Sequence, residues 1–200
     1  DTLPMLQAMA PYRTHAVVRP ASNDKVLIKR LLDFGAQTLI LPYIQSADEA
    51  RAAVAAVRYA PRGMRGVAGL TRASRFGAVA DYTQRADAEI CLLLQVETAL
   101  ALTRIEEIAA VDGVDGLFIG PADLAASMGY PGQLAHPDVT AAIEDAIRDV
   151  GTGEAVTSFL EAQGIPGVAK RTLIRPPSSQ VGPISDADRA AVVAGSPVRG

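Results

Sequence analysis

Apolar residues in this chain fall into short runs, and amphipathic stretches separate the runs. Five β-rich runs stand out, at 16–19, 38–42, 66–68, 90–96 and 116–119. Helical patterns follow most of them. Over 25–34, Val26, Leu27, Ile28, Leu31 and Leu32 share one face, and Gly35 supplies the stop. Ser-Ala-Asp-Glu at 46–49 is a capping box: the serine satisfies an orphan amide and the glutamate reaches back. It opens an Ala-rich helix predicted over 47–59. Thr98 is placed to cap a helix over 99–110, and Pro137 suits the first turn of one running to about Val150.

Strand and helix thus alternate five times, at about 25 residues per unit. That cadence implies a parallel sheet with right-handed crossovers. An open doubly wound sheet and a (β/α)8 barrel both fit. No Gly-x-Gly-x-x-Gly follows a strand, which weakens the dinucleotide-binding reading and favours the barrel. After Val150 the character changes. Gly-Thr-Gly at 151–153 is a break, 154–163 suits a helix ending at Gly164, 175–183 is Pro-rich and extended, and 186–194 is Ala-rich. The expected organisation is therefore a partial barrel over 1–150 and an unassigned tail over 151–200.

Both readings bring ligands to the carboxyl ends of the strands. Two apolar runs end on carboxylates there, Glu97 after one and Asp123 just past the other. If the runs are neighbouring parallel strands, the two acids converge into a seat for a hard divalent cation. Each acid alone reads equally as a helix-start residue facing the macrodipole. Arg19 also follows a strand. Asp33 sits near a helix end, where an acid is unfavourable without a specific job. Gln95 points either at the site or into the barrel. His15 and His136 read as structural or exposed, and Arg72 and Arg75 as exposed loop charges.

Composition narrows the partners. Two hundred residues suffice for one domain with a sizeable core, and 49% hydrophobic against 20% charged residues marks a globular chain. With 19 basic and 22 acidic residues and no basic run, a small-molecule substrate fits better than nucleic acid. The single cysteine, Cys91, lies in an apolar run and reads as an inert thiol. It cannot form an intrachain disulfide, which points to the cytoplasm. No apolar segment approaches the ~18 residues of a membrane span, and the first residues do not read as a signal peptide.

Taken together, several motifs resemble the HpcH/HpaI aldolase/citrate lyase family, and within it the metal-dependent 2-keto-3-deoxy acid aldolases. They are Val-Val-Arg-Pro at 17–20, Leu-Leu-Asp-Phe-Gly-Ala-Gln-Thr-Leu at 31–39, Arg-Gly-Met-Arg-Gly-Val at 62–67 and Arg-Ala-Ser-Arg at 72–75. Gln-Val-Glu-Thr at 95–98, the run from Val111 through Gly-Pro-Ala-Asp-Leu at 120–124, and His-Pro at 136–137 complete the set. The resemblance covers 1–149. It implies a (β/α)8 TIM-type barrel, incomplete here, with about five to six βα units recognisable. It also implies a lyase that makes or breaks carbon–carbon bonds next to pyruvate in 2-keto-3-deoxy or 4-hydroxy-2-oxo acids.

The same resemblance assigns the site. Glu97 and Asp123 hold Mg²⁺ or Mn²⁺, with Co²⁺ a further candidate. Arg19 contacts the keto oxygen, Asp33 supports the acid–base system, and amides around Gly120 and Ala122 receive the substrate carboxylate, with Gln95 counted among the substrate-binding residues. Pyruvate and an aldehyde are the implied partners, and a homo-oligomer the implied assembly.

Two departures stand out. The family's upstream histidine, in an Asp-Gly-Glu-His type motif, and its first two strands fall before the matched text; neither His15 nor His136 inherits that role. Residues 151–200 do not follow the family's text. Two alternatives follow: an inactive fragment or pseudoenzyme that still binds metal and pyruvate, and a citrate- or malyl-CoA lyase-like enzyme. Five or six strands cannot close an eight-stranded barrel, so poor solubility or pairing with another chain is expected.

Overall fold

Short apolar runs covered on both sides form strands, and here they lie side by side in chain order. A computed structural model describes residues 1–12, 15–150 and 156–158. Its sheet contains β1 (Val17–Val18), β2 (Thr38–Leu41), β3 (Cys91–Val96), β4 (Gly116–Ile119) and β5 (Val156–Ser158). Every neighbouring pair is parallel. The order never reverses, as it must in a doubly wound sheet, so the winding is that of a barrel. Among the described residues the sheet stays open, with β1 and β5 at its edges. No helix among them is long and apolar enough to cross a membrane.

Helices return the chain between strands. They are α1 (Thr2–Met9), α2 (Lys25–Asp33), α3 (Ala47–Val57), α4 (Tyr82–Arg85), α5 (Ala99–Leu102), α6 (Ile105–Ala109), α7 (Pro121–Ser127) and α8 (Pro137–Asp149). All six residues of β3 are buried, as a central parallel strand requires. Leu92, Leu94 and Val96 meet Ile28 and Leu32 of α2, Ala53 and Val57 of α3, and Ile143 of α8 in one core.

The starts of the helices follow local chemistry. Asp24 accepts hydrogen bonds from the amides of Val26 and Leu27, both at 2.9 Å. Ser46 Oγ accepts from the Glu49 amide at 3.2 Å, and Glu49 reaches back to the Gln45 amide at 2.7 Å, one residue beyond the usual box. Thr98 Oγ1 accepts from Ala101 N at 3.0 Å. His136 Nδ1 caps α8 through the Asp138 amide.

Three expectations change. Residues 66–68 form no strand; the nearest pairing is an isolated bridge between Tyr59 and Arg65. Three residues headed by glycine bury too little to hold a ladder, and the chain there loops out from the sheet. The helix over 99–110 is two pieces. Thr103 Oγ1 donates to the Leu100 carbonyl at 2.7 Å and competes with the helical ladder at the break. The helix expected over 154–163 is crossed by β5, because the edge of β4 offers a parallel partner: Leu117 registers with Val156. The rest of that stretch, the 175–183 segment and the 186–194 helix lie outside the described residues.

Candidate active site

Register brings the acids together. Val96 pairs with Ile119, so Glu97 and Gly120 stand abreast at the carboxyl edge of the sheet. Glu97 is 3% exposed. Its Oε1 accepts the Tyr43 amide at 2.9 Å, and its Oε2 accepts from Gln95 Nε2. Gln95, also buried, accepts from Arg19 Nη1 at 3.5 Å. A relay of fixed dipoles therefore runs from Arg19 through Gln95 to Glu97. A Cβ on residue 120 would lie 2.6 Å from Glu97 Oε2 and 2.8 Å from Gln95 Nε2, so only glycine leaves room for the carboxylate.

Asp123 reaches the same place from the first turn of α7, which opens with Pro121. Burial pushes the Glu97 carboxyl above its usual range. The charge and hydrogen bond of Asp123 push the same way, while the Tyr43 amide and the Arg19 charge pull it down. The two acids thus repel across a short gap beside a cleft of about 630 Å³. Arg19, Asn23, Tyr43 and Glu49 complete its main polar wall with the two carboxylates.

Two converging carboxylates suit a hard cation whose other positions go to water and substrate oxygens. Among the described residues no group of three or more His, Cys, Asp or Glu side chains is placed to hold a metal. Two protein carboxylates would suit a partly hydrated ion such as Mg²⁺, and Glu97 and Asp123 would be the residues that hold it.

The structure gathers Arg19, Gln95, Glu97, Gly120 and Asp123. The Gly120 amide is engaged with the Val96 carbonyl at 3.1 Å, and Ala122 stands exposed in the first turn of α7. Asp33 is not brought to the cleft. It ends α2, which carries the chain about 13 Å back toward the amino ends of the strands. There it pairs with Lys29 at 2.5 Å and with the buried Arg65 at 3.4 Å.

His15 binds Thr38 Oγ1 through Nε2 at 2.7 Å, and His136 stacks on Tyr130 at 3.6 Å; neither lines the cleft. Cys91 is buried, with its thiol pushed up to about 12 by burial. Arg72 is not a free loop charge: it donates to the carbonyls of Phe34 and Leu6. Sequence reading missed Asn23, Tyr43 and Glu49. The rule that singled out Arg19, polar residues just past a strand, reaches Asn23 and Tyr43 as well.

A family model described as HpcH/HpaI aldolase/citrate lyase matches residues 1–191. This chain belongs to that family. As an HpcH/HpaI member it is 68% identical over 145 residues to a pyruvate aldolase of Rhizobium etli, covering 72% of this chain and 57% of the relative. A hydroxypyruvate/pyruvate aldolase of Sagittula stellata is 61% identical, over 84% of this chain and 62% of its own length. A 4-hydroxy-2-oxo-heptane-1,7-dioate aldolase of Salmonella paratyphi B is 51% identical, over 86% and 65%.

The chain thus spans about three-fifths of the length of these curated relatives. A crystal structure of a family protein from Burkholderia cenocepacia superposes with a TM-score of 0.73 at 40% identity, covering 81% of this chain and 67% of that one. The fold is accordingly α/β of TIM-barrel type, incomplete among the described residues. The family match extends past Val150, beyond the 1–149 stretch whose motifs carry the resemblance.

Proposed function

We propose that the cleft is the site of a divalent-metal-dependent aldolase. It would cleave or form carbon–carbon bonds next to pyruvate in 2-keto-3-deoxy or 4-hydroxy-2-oxo acids. The observation that carries this reading is the convergence of Glu97 and Asp123 beside Arg19 at the carboxyl edge of the sheet. The relatives' names, all aldolases of 2-oxo acids, point the same way.

Glu97 and Asp123 would hold Mg²⁺ or Mn²⁺, with Co²⁺ a further candidate. Such an ion supplies Lewis-acid stabilisation of negative charge on a substrate oxygen. The chain's own residues do the rest. In the cleavage direction the C3–C4 bond breaks, its electrons move toward the C2 carbonyl, the C4 hydroxyl gives its proton to water in the cleft as the aldehyde forms, and C3 then takes a proton from water to complete pyruvate. Negative charge grows on the keto oxygen. Arg19, steadied by Gln95, aims a cationic donor at it; removing one such donor typically costs about 2.7–4 kcal/mol of barrier.

Gly120 contributes by lacking a side chain, and the amide at Ala122 receives the substrate carboxylate at the positive end of α7. Asp33 is given no step here, because its carboxylate lies at the far end of α2. Pyruvate and an aldehyde are the partners, and a cytoplasmic homo-oligomer is the accompanying proposal.

A second reading has its own observation: neither His15 nor His136 lines the cleft. A pseudoenzyme that binds metal and pyruvate would need no proton-transfer histidine. Divalent-metal-dependent deuterium exchange into the methyl group of pyruvate, measured with retro-aldol release of pyruvate, separates the two. Exchange and cleavage that are abolished by EDTA and by Glu97→Ala and Asp123→Ala support the aldolase. Activity surviving all three treatments sinks the metal mechanism, and metal binding without exchange or cleavage favours the pseudoenzyme.

A further inference from the structure

Tyr43 has a left-handed backbone, φ 60°, although it carries a bulky side chain. Such a residue sits in a strained region that L side chains rarely adopt. Packing does not account for the strain, since Tyr43 is 56% exposed. Its hydrogen bonds do account for it. In an extended strand successive amides point to opposite edges. Here two consecutive amides turn toward β3: Ile44 N–H reaches the Gln95 carbonyl at 3.1 Å, and Tyr43 N–H reaches Glu97 Oε1 at 2.9 Å. The turn at Tyr43 is what breaks the alternation. One amide extends the sheet's pairing, and the other is freed for the carboxylate.

We propose that Tyr43 is a positioning residue that acts through its main chain. Its left-handed conformation presents the amide that orients Glu97 toward Asp123, so that both carboxylates meet one cation. Strain at a cleft residue is thereby converted into order at a buried acid. The ring and hydroxyl of Tyr43 are dispensable for this role. Gln95 holds Oε2 of Glu97 and the Tyr43 amide holds Oε1, with Asp123 also bonded to the carboxyl, so losing that amide loosens the orientation of the carboxylate. The inference rests on the metal-site reading of the preceding subsection.

The test measures Mn²⁺ affinity by the electron paramagnetic resonance of free Mn²⁺, beside the melting temperature of the metal-free full chain. Tyr43→Asn tolerates the left-handed region, Tyr43→Phe keeps the ring, and Tyr43→Val is β-branched and resists positive φ. Asn and Phe are expected to bind Mn²⁺ within about threefold of the parent, and Val to bind about tenfold more weakly. Parent-like binding by the Val variant overturns the proposal. So does weakened binding by Asn or Phe at an unchanged melting temperature, which would assign the role to the side chain; this arm decides the matter even if the Val variant does not fold. A Glu97→Gln control separates the two readings. If parent and Glu97→Gln take up Mn²⁺ equally, the metal site itself fails. If only Glu97→Gln loses binding, the site stands and the role of Tyr43 does not.

Discussion

A single missing methyl group decides whether the two acids can meet. Residue 120 must be glycine because a Cβ there would press on both Glu97 Oε2 and Gln95 Nε2. Gly120→Ala is expected to push the Glu97 carboxylate out of place and to weaken Mg²⁺ binding by about tenfold or more, with about 1–3 kcal/mol of destabilisation from overpacking. Isothermal titration and urea unfolding measure the two effects; unchanged Mg²⁺ affinity would show that the close contact is relieved elsewhere. His15 tells a different residue-scale story. The residue is exposed overall, but partial desolvation of its ring against Thr38 lowers its pKa below the ordinary 6.5. Between the lowered value and 6.5 the unfolded chain binds a proton that the folded chain refuses. Stability therefore declines as pH falls through that window and levels off below it. His15→Asn should flatten this part of the pH dependence of the urea midpoint; an unaltered slope would assign it to other groups. Arg19, Glu97 and Asp123 were legible as residues because strand-end position is a sequence property. The left-handed backbone of Tyr43 was not, because a tyrosine does not announce positive φ.

At the level of elements, capping chemistry was the most legible signal and register the least. The cap by Ser46 and the proline start of α8 were read directly from residue type, and so was the cap by Thr98. The end of the helix after Thr98 was not, because Thr103 diverts its hydroxyl to a carbonyl only once the turn has formed. Asp24 was overlooked although it carries two amides at the start of α2. Asp24→Ala is expected to cost about 1 kcal/mol, read as a lower urea midpoint with an unchanged slope. Because α2 joins the strand preceding Arg19 to the strand preceding Tyr43, the same variant tests whether that crossover is held locally or by the core. A loss well under half of that figure would favour the core, where Ile28, Leu31 and Leu32 are buried. The run at 66–68 looked like a strand by composition, yet among the described residues no strand pairs with it.

For the whole molecule, the sheet has β1 and β5 at its outer edges among the described residues, and an edge strand offers a template for pairing with another segment or chain. The 200-residue chain is expected to sediment as a species larger than one chain, or to associate as its concentration rises. A monodisperse monomer with one cooperative melt would mean that the edges are covered within the chain. What the sequence determined alone was the alternation of strand and helix, most helix starts, the buried character of Cys91 and the family. These depend on residue type and periodicity over a few turns of chain. What tertiary structure decided was which residues meet. The parallel register of Val96 with Ile119 set Glu97 beside Gly120 and within reach of Asp123. The length and direction of α2 carried Asp33 away from them. A strand pairing and a helix axis are relations between segments far apart in sequence, and only packing in three dimensions selects them.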